Sequence, residues 1–530
     1  MESLVIYAIC VILIEHVRCV PVEMSAATYL QQRAQVMNAE ANLRIGGSVT
    51  LNSREQQVNR ILMDAKHKEI NISRTANGPE FLPSVHFFKG KPAIEKSSVF
   101  QLIKEMPKGG ALHLHDCSMA DITWLVKNVT YMDHCYMCTD QDNHIQFHFF
   151  QVAPSNPACP WKLITTERKN SANQEQFDDM LYRSMSMVVP DPVKTFPTID
   201  VVWKEFLRVL DVANGLINYA PVFGKYFYES LKEFHDDNVQ YLETRALLPV
   251  LYNLDGSTID NKTRVMEIYQ QNHDQFLKDY PDFTGARIIR SGLRFVPASD
   301  VLQQVKESIV MLQQFPDFFV GYDLVGQEDP GIPLIDYISA LLYPSQHNIN
   351  LPYFFHAGET DWEGTPTDNN LIDAILLNTS RIGHGYALTK HPQAKNMVKG
   401  RGIAVEVNPI SNQVLKLLDD LRNHPASSLI AEGFPVVISA DDPAVWGARG
   451  LSYDFYMAFM GMASADADLA MLKKLAISSL EHSAMSTSQK SKAIYQWQYK
   501  WDQFIDRMLG NNIPNSSFVQ KNSARRYSPH

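Results

Sequence analysis

Eight short apolar segments with the length and composition of buried β-strands recur between residues 108 and 442. Each one after the first is followed by a segment in which apolar residues have helical spacing. This alternation favours a parallel sheet, and eight is the number of strands that closes a parallel barrel. We therefore predict an α/β fold built on a (β/α)8 TIM barrel. The predicted strands are 108–115, 238–247, 286–295, 318–326, 351–359, 381–385, 402–409 and 435–442.

The chain has 530 residues, more than the ~100–200 of one ordinary domain, so we expect segments beyond the barrel. Residues 101–510 are predicted to contain the barrel. Residues 20–100 show helical periodicity and are predicted to form an N-terminal helical arm. Residues 128–185 are rich in Cys, Pro and aromatic residues and are predicted to be an insertion after the first strand. Residues 511–530 are predicted to be a polar tail.

The N-terminus carries an apolar run, Leu4–Ile14, that has the length of a signal-peptide core and is too short to cross a bilayer. Val17 and Cys19 fit the positions before a cleavage site, so residues 1–19 are predicted to be a signal peptide. A short anchor or a buried helix is the alternative. No other segment is apolar enough to form a membrane span, so we expect a secreted, extracellular protein.

Four of the six cysteines lie beyond the predicted signal peptide. In an oxidising compartment we expect a disulfide from Cys138 or Cys135 to Cys159, and we adopt Cys138–Cys159. Sequons for N-glycosylation also agree with secretion. They begin at Asn71, Asn128, Asn261, Asn378 and Asn515.

The balance of charge excludes one class of partner. The formal net charge is −10 and the isoelectric point is about 5.9. An acidic chain is repelled by phosphate backbones and anionic membranes, so nucleic acid is not an expected partner.

Imidazoles and carboxylates stand at the carboxyl ends of four predicted strands, where a parallel barrel builds its active site. Alternate residues on a strand point the same way, so His113 and His115 can reach one ion. Such a nitrogen-rich set suits Zn²⁺ and leaves room for a water molecule. The full set comprises His113, His115, His356, His384, Asp441 and Asp442.

Two of these strand ends also suggest proton transfer. Glu359 follows His356 by three residues and can donate a proton to a substrate nitrogen. His384 lies between two glycines, which permit close approach, and can orient a hydroxide formed from zinc-bound water. The sequence therefore predicts metal-assisted hydrolysis.

The motifs HLHD, HAGE, GHG and SADD together resemble the adenosine deaminase branch of the metal-dependent hydrolase barrels. The longer segments MPKGGALHLHD, YFFHAGETDW, RIGHGYAL, NPISNQVL and ISADDPA resemble the secreted branch, the adenosine deaminase-related growth factors. This resemblance covers nearly the whole chain. It implies one Zn²⁺ per chain and hydrolytic deamination of extracellular adenosine, and of 2′-deoxyadenosine, to inosine and ammonia.

The resemblance also implies roles for individual residues. The residues that match the zinc ligands are His113, His115, His356 and Asp441. Glu359 matches the proton donor to purine N1, and His384 matches the residue that assists the zinc hydroxide. The residues that match substrate contacts are Asp442 at purine N7, the backbone of Gly326 at the purine edge, and Asp116 and Trp203 at the ribose.

Partners beyond the nucleoside follow from the same resemblance. The helical arm is similar to the family's dimerisation segment, so a homodimer is expected. The insertion is similar to the part assigned to receptor binding, so a cell-surface receptor or glycosaminoglycan is a candidate partner. Depletion of adenosine would then give growth-factor-like activity.

One residue departs from the family pattern. The resemblance leads us to expect a histidine facing the nucleoside at the position of Leu293. A leucine side chain cannot form a hydrogen bond, so we predict weaker substrate binding or an altered substrate preference. The metal chemistry should be intact.

Two other functions compete with adenosine deamination. A growth factor whose barrel has lost activity would have no need for Glu359 together with His384. Deamination of AMP would favour clustered Arg or Lys by the ribose, and the sequence shows no such cluster.

Overall fold

The barrel is built from short parallel strands in a computed structural model that describes residues 24–510. Strands are numbered in chain order. They are β1 (Gly109–His115), β2 (Cys135–Thr139), β3 (Ile145–Phe149), β4 (Lys162–Leu163), β5 (Val239–Ala246), β6 (Leu251–Tyr252), β7 (Thr258–Ile259), β8 (Gly285–Leu293), β9 (Phe319–Val325), β10 (His356–Ala357), β11 (Arg381–His384), β12 (Ala404–Val407) and β13 (Val436–Ile438).

Two four-stranded parallel sheets, β1-β5-β8-β9 and β10-β11-β12-β13, join into one closed barrel. A parallel bridge between Tyr322 and Tyr353 joins the sheets on one side, and a bridge between Leu114 and Asp441 joins them on the other. Both seams are hydrogen-bonded, since Phe354 N donates to Tyr322 O at 3.0 Å and Asp441 N to His113 O at 3.0 Å. The predicted (β/α)8 barrel is confirmed.

The fifth barrel strand is shorter than predicted. The apolar run 351–359 pairs regularly only over His356–Ala357, with one isolated bridge at Tyr353. Pro352 has no N–H to contribute to a ladder, although its carbonyl accepts from Tyr322 N at 3.0 Å. Buried aromatic side chains and separate backbone hydrogen bonds, rather than a continuous ladder, therefore hold this segment in the wall.

Helices surround the barrel and precede it. Numbered in chain order, they are α1 (Ala26–Leu43), α2 (Ser53–Ser73), α3 (Phe87–Ile94), α4 (Ser98–Glu105), α5 (Ile122–Trp124), α6 (Ile164–Asn170), α7 (Gln174–Ser184), α8 (Pro192–Thr195), α9 (Ile199–Ile217), α10 (Ala220–Asp236), α11 (Lys262–Asp279), α12 (Ala298–Gln314), α13 (Ile338–Leu341), α14 (Tyr343–Gln346), α15 (Asn370–Leu376), α16 (Pro392–Arg401), α17 (Pro409–Val414), α18 (Ala426–Ala431), α19 (Ser452–Met457), α20 (Leu469–Glu481) and α21 (Thr487–Met508).

The barrel strands are buried on both faces, as expected where helices cover a parallel sheet. Every residue of β5, β9, β12 and β13 is buried. The outer helices bury one apolar stripe each. In α9, for example, Val202, Phe206 and Val209 face inwards at helical spacing.

The predicted N-terminal helical arm is present as α1 and α2. Asn52 caps α2, and its capping box with Glu55 is complete. Glu55 is buried and accepts hydrogen bonds from Lys473 Nζ and Trp501 Nε1, which attaches α2 to α20 and α21. In contrast, α1 has no buried residue.

The segment between β1 and β5 contains an antiparallel sheet with the order β3-β2-β4. A disulfide joins Cys138 to Cys159, which confirms the adopted pairing. Cys135, the alternative partner, is a buried free thiol. Cys138 lies on β2 and Cys159 lies just before β4, so the disulfide ties the insertion's sheet to its connecting loop.

Three of the sequence predictions fall outside the described residues. These are the signal peptide at 1–19, the sequon at Asn515 and the polar tail at 511–530. Among the helices of residues 24–510, none combines the length and the apolar composition that a bilayer crossing requires.

Candidate metal and substrate site

The carboxyl ends of β1, β10, β11 and β13 bring the predicted polar residues together. Ring centroids of His113 and His356 are 4.4 Å apart, and those of His113 and His384 are 4.9 Å apart. Ligand atoms of His113, His356, His384 and Asp441 all lie within 4.8 Å of one another. His115 groups instead with Asp441 and Asp442, and its Nε2 lies 3.0 Å from Asp441 Oδ1.

Local backbone geometry aims two of these side chains. His384 and Asp441 have φ values of 59° and 61°, in the left-handed region that non-glycine residues seldom adopt. Gly383 meets a different requirement, because a Cβ there would lie 2.9 Å from His113 Cε1. The glycine thus lets β11 approach the imidazole of β1.

Two carboxylates that sequence reasoning did not identify hold the imidazoles. His113 Nδ1 lies 2.8 Å from Glu406 Oε2, and His356 Nδ1 lies 2.7 Å from Asp323 Oδ2. A carboxylate accepts the Nδ1 proton, so Nε2 of each ring keeps a lone pair for a metal. Both carboxylates interrupt apolar strands, so an isolated acid in a buried strand is the sequence signal that could have identified them.

A buried ionic network continues below these carboxylates. Arg245 donates to Asp323 Oδ2 at 3.1 Å and to Glu406 Oε2 at 2.6 Å. Arg381 bonds to the other Glu406 oxygen and to Glu243. All of these side chains are at most 1% exposed, so each charge depends on its partner.

The donor set fits a metal ion. His113 Nε2 is buried and has no hydrogen-bond partner among residues 24–510, yet it faces Asp441 Oδ1 at 3.4 Å. Glu406 accepts a hydrogen bond from the Nδ1–H of His113, so His113 Nε2 carries a lone pair. Two acceptors, this nitrogen and Asp441 Oδ1, therefore face one another, and a cation between them would satisfy both. Burial also lowers the pKa of His356 to about 3, so its imidazole is neutral at physiological pH.

Glu359 is placed to hold a proton. It is buried, and its backbone N–H donates to Glu328, whose other oxygen accepts from Gly358 N at 3.1 Å. Burial, with the nearby charge of Asp441, raises the pKa of the Glu359 carboxyl well above its usual range. The raised pKa favours the protonated carboxyl, the form that can act as an acid.

A cavity of about 290 Å³ opens beside these groups. All of the predicted site residues except His113 line it: His115, Asp116, Trp203, Gly326, His356, Glu359, His384, Asp441 and Asp442. His113 lies beneath the lining and is fully buried. Leu293 also lines the cavity at the end of β8, and α9 forms one wall.

Two carboxyl groups of the cavity are held by hydroxyls. Tyr269 donates to Asp116, and Ser118 donates to Asp442. Burial raises the pKa of Asp116 to about 6. Burial, together with the charge of Asp441, raises the pKa of Asp442 to about 8. The cavity thus offers acids and imidazoles beside apolar walls, which suits a ligand with polar groups and proton transfer.

Family comparisons agree with this chemistry. The adenosine deaminase family model matches residues 188–498, and the adenosine/AMP deaminase N-terminal model matches residues 9–103. The whole disulfide-bearing insertion, residues 128–185, lies between the two matches.

Relatives of similar length cover nearly the whole chain. Adenosine deaminase 2-A of Danio rerio is 46% identical over 477 residues, which span 90% of this chain and 93% of the relative. Adenosine deaminase 2 of Homo sapiens is 43% identical and covers 91% and 94%. Adenosine deaminase of Phlebotomus duboscqi is 43% identical and covers 91% and 92%.

Solved structures share the fold at low identity. The Arabidopsis N6-mAMP deaminase MAPDA superposes with a TM-score of 0.52 at 19% identity, covering 75% of this chain and 99% of its own. Arabidopsis ADAL complexed with GMP gives 0.53 at 18% identity, covering 75% and 98%. At such identities the likeness establishes the barrel architecture alone.

Proposed function

The chain belongs to the adenosine deaminase family, and we propose that it hydrolyses extracellular adenosine, and 2′-deoxyadenosine, to inosine and ammonia with one Zn²⁺ per chain. It is a deaminase of the hydrolase class, and adenosine deamination is its activity. The observation that carries the proposal is the pair of facing acceptors, His113 Nε2 and Asp441 Oδ1, beside Glu359, whose carboxyl pKa is raised by burial.

The zinc would be held by His113, His115, His356 and Asp441. Imidazole nitrogens and a carboxylate oxygen are ligands that Zn²⁺ accepts, and this set leaves a position for water. When bound, Zn²⁺ lowers the pKa of a coordinated water and so supplies a nucleophile for purine C6. Glu406 and Asp323 keep two of the imidazoles oriented.

Glu359 donates a proton in the proposed reaction, and His384 orients the attacking oxygen. Glu359 donates its proton to purine N1, which makes C6 electrophilic as the nucleophile adds. His384 Nε2 lies 3.7 Å from Asp441 Oδ2, where it orients and stabilises the attacking oxygen. The two protons of the water balance the step: one passes to the C6 amino group, which leaves as ammonia when the C6–N bond breaks, and the other returns Glu359 to its protonated form. A high Glu359 pKa supports this role, because only the protonated carboxyl can donate.

The remaining cavity residues recognise the nucleoside. Asp442 contacts purine N7 and the backbone of Gly326 contacts the purine edge, while Asp116 and Trp203 contact the ribose. Their common position in the lining of one cavity supports these assignments. The apolar wall from α9 would cover the base once it is bound.

Secretion belongs to the proposal. A disulfide at Cys138–Cys159 is typical of an oxidising compartment. The sequon side chains at Asn71, Asn128, Asn261 and Asn378 are exposed, as glycosylation requires. We assign residues 1–19 as the signal peptide and 128–185 as the segment that would contact a cell-surface receptor or glycosaminoglycan.

A homodimer through α1 is also part of the proposal. Tyr29 and Val36, and likewise Leu30 and Met37, recur seven residues apart and are exposed on one side of α1, where Arg33 and Glu40 lie between them. We expect the secreted protein to sediment as a dimer and L30E/M37E to sediment as a monomer. Gln31→Glu, on the opposite face of the helix, is the control. A monomeric wild-type protein would refute the assignment of residues 20–100 as a dimerisation segment.

The activity test uses the purified secreted protein. We expect adenosine absorbance to shift to that of inosine, with about one zinc atom per chain by elemental analysis. Removal of zinc with a chelator should abolish turnover and its return should restore it. Zinc without turnover of adenosine, 2′-deoxyadenosine or AMP would contradict the proposal, and neither zinc nor turnover would favour a binding protein.

Leu293→His is expected to lower the KM for adenosine by about threefold to tenfold, the effect of one added hydrogen bond. Leu293 lines the cavity and is 41% exposed, so a larger polar side chain can be accommodated there. Steady-state kinetics would measure the change, and Leu293→Met, which adds no hydrogen-bonding group of comparable strength, is the control. Equal KM values for all three proteins would refute a role for position 293 in nucleoside binding.

A further inference from the structure

A chain of buried side chains leads from His384 away from the cavity. His384 Nδ1 lies 3.0 Å from Asn412 Nδ2, and Asn412 Oδ1 lies 3.0 Å from His424 Nε2. His424 Nδ1 in turn accepts from the backbone N–H of Ala426 at 3.0 Å. His384, Asn412 and His424 are each at most 1% exposed, so water does not compete for these bonds.

The direction of every bond in this chain is fixed by its far end. A backbone N–H can only donate, so His424 Nδ1 must carry a lone pair. Burial lowers the pKa of His424 to about 3, so the ring is neutral and its single proton lies on Nε2. That N–H donates to Asn412 Oδ1, which orients the carboxamide. The Asn412 NH₂ group then donates to His384 Nδ1.

We propose that Asn412 and His424 are positioning residues that hold His384 as the tautomer with its proton on Nε2, directed at Asp441 and the cavity. The inference deepens the proposed deaminase function and rests on it for its catalytic consequence. It gives a role to the NPISNQVL segment, whose Asn412 lies on α17 outside the cavity lining.

The tautomer matters because His384 lies between two carboxyl groups. Its Nε2 is 3.7 Å from Asp441 Oδ2, and its Nδ1 is 3.6 Å from Glu359 Oε1. A proton on Nδ1 would point towards Glu359 and leave a lone pair on Nε2. The donor from Asn412 excludes that state. The hydrogen bond from Asn412 therefore keeps the Nε2–H donor of His384 beside the reacting oxygen. It also leaves Glu359 unbound by His384, so that Glu359 can donate its proton to the purine.

Kinetic tests use variants behind the cavity wall. We expect Asn412→Leu and His424→Phe to lower kcat for adenosine by about 10- to 100-fold, the scale of a misplaced proton donor. KM, zinc content and the Kd for inosine should stay within about twofold of wild type. His424→Gln places an N–H near the position of Nε2 and should retain kcat within about threefold.

A second readout does not depend on activity. In protein labelled with ¹⁵N-histidine, two-bond ¹H–¹⁵N couplings show which ring nitrogen carries the proton. The His384 signals, assigned as those absent from His384→Asn, should show Nε2–H in the zinc-free wild type and in His424→Gln. In Asn412→Leu they should show the Nδ1–H form or a mixture.

The outcomes of these experiments distinguish a positioning role of Asn412 and His424 from a role in packing alone. Nδ1–H in the wild type, or unchanged kcat in both Asn412→Leu and His424→Phe, would overturn the proposal. So would an equal loss in His424→Phe and His424→Gln accompanied by loss of zinc and a lower melting temperature, because that pattern reports a packing role. If the wild type did not act on adenosine, the proposed function would fail, and the tautomer measurement would still test the chain.

Discussion

Glu359→Gln is expected to lower kcat for adenosine by about 10³-fold, within the range that general acid catalysis supplies. The carboxyl is buried and its pKa is raised well above the usual range by burial and by the charge of Asp441, which favours the protonated form; glutamine cannot transfer that proton. Glutamine keeps the shape and can still donate a hydrogen bond to N1. KM should therefore change little.

The measurement is steady-state turnover, combined with zinc analysis to show that the metal site is intact. Glu363→Gln, an identical substitution at an exposed position four residues later, is the control and should behave as wild type. Turnover by Glu359→Gln within tenfold of wild type, with zinc bound, would exclude Glu359 as the essential proton donor.

Glu406→Gln is expected to have the second large effect, on folding and on metal affinity together. Glu406 accepts from His113, Arg245 and Arg381 inside the barrel. Neutralising it removes one of the two carboxylate partners of each buried arginine, since Asp323 and Glu243 remain, which costs about 3–5 kcal/mol of unfolding free energy. It also removes the acceptor that orients His113, which should weaken zinc binding by about 10- to 100-fold.

Denaturant unfolding and competition with a zinc chelator would measure the two effects separately. Glu432→Gln is the matched control, because Glu432 pairs with Lys395 at 2.7 Å in a partly exposed setting where such a pair contributes about 0–1 kcal/mol. If the stability of Glu406→Gln equalled that of the wild type, the buried ionic network would not require a negative charge at position 406. If its zinc affinity were also unchanged, His113 would not require a carboxylate to orient it.

The acid sensitivity of the fold should follow from the same network. The charges of Arg245 and Arg381, together with the His113 hydrogen bond, outweigh burial and hold the pKa of Glu406 well below its usual range. A depressed pKa means that the folded state favours the carboxylate. Its contribution to stability is therefore present above the ordinary glutamate pKa and is lost as the pH falls towards the folded value.

The barrel fold and the grouping of the main site residues could be predicted from local sequence patterns. Eight apolar segments alternating with helical ones specify the barrel, because strand length and periodicity are local properties. Placing His113, His356, His384 and Asp441 at one end needed only the rule that parallel strands end on the same face. The motif resemblance then supplied the reaction, and the family comparisons agree with it.

What the sequence did not reveal is which distant residues meet once the barrel closes. Glu406 meets His113 across a separation of 293 positions, and Arg245 meets Glu406 across 161. These pairings depend on barrel register and closure. A strand pattern does not encode them, since any inward-facing polar residue has the same local periodicity.

The same reason explains the chain from His384 to His424. Strand periodicity placed His384 at the cavity, but its tautomer is set by Asn412 on α17 and by the backbone of Ala426 at the start of α18. The sequence by itself determined which polar residues meet at the carboxyl end of the barrel. Only the tertiary structure decided how their protons are held, because hydrogen-bond direction depends on three-dimensional neighbours rather than on residue type.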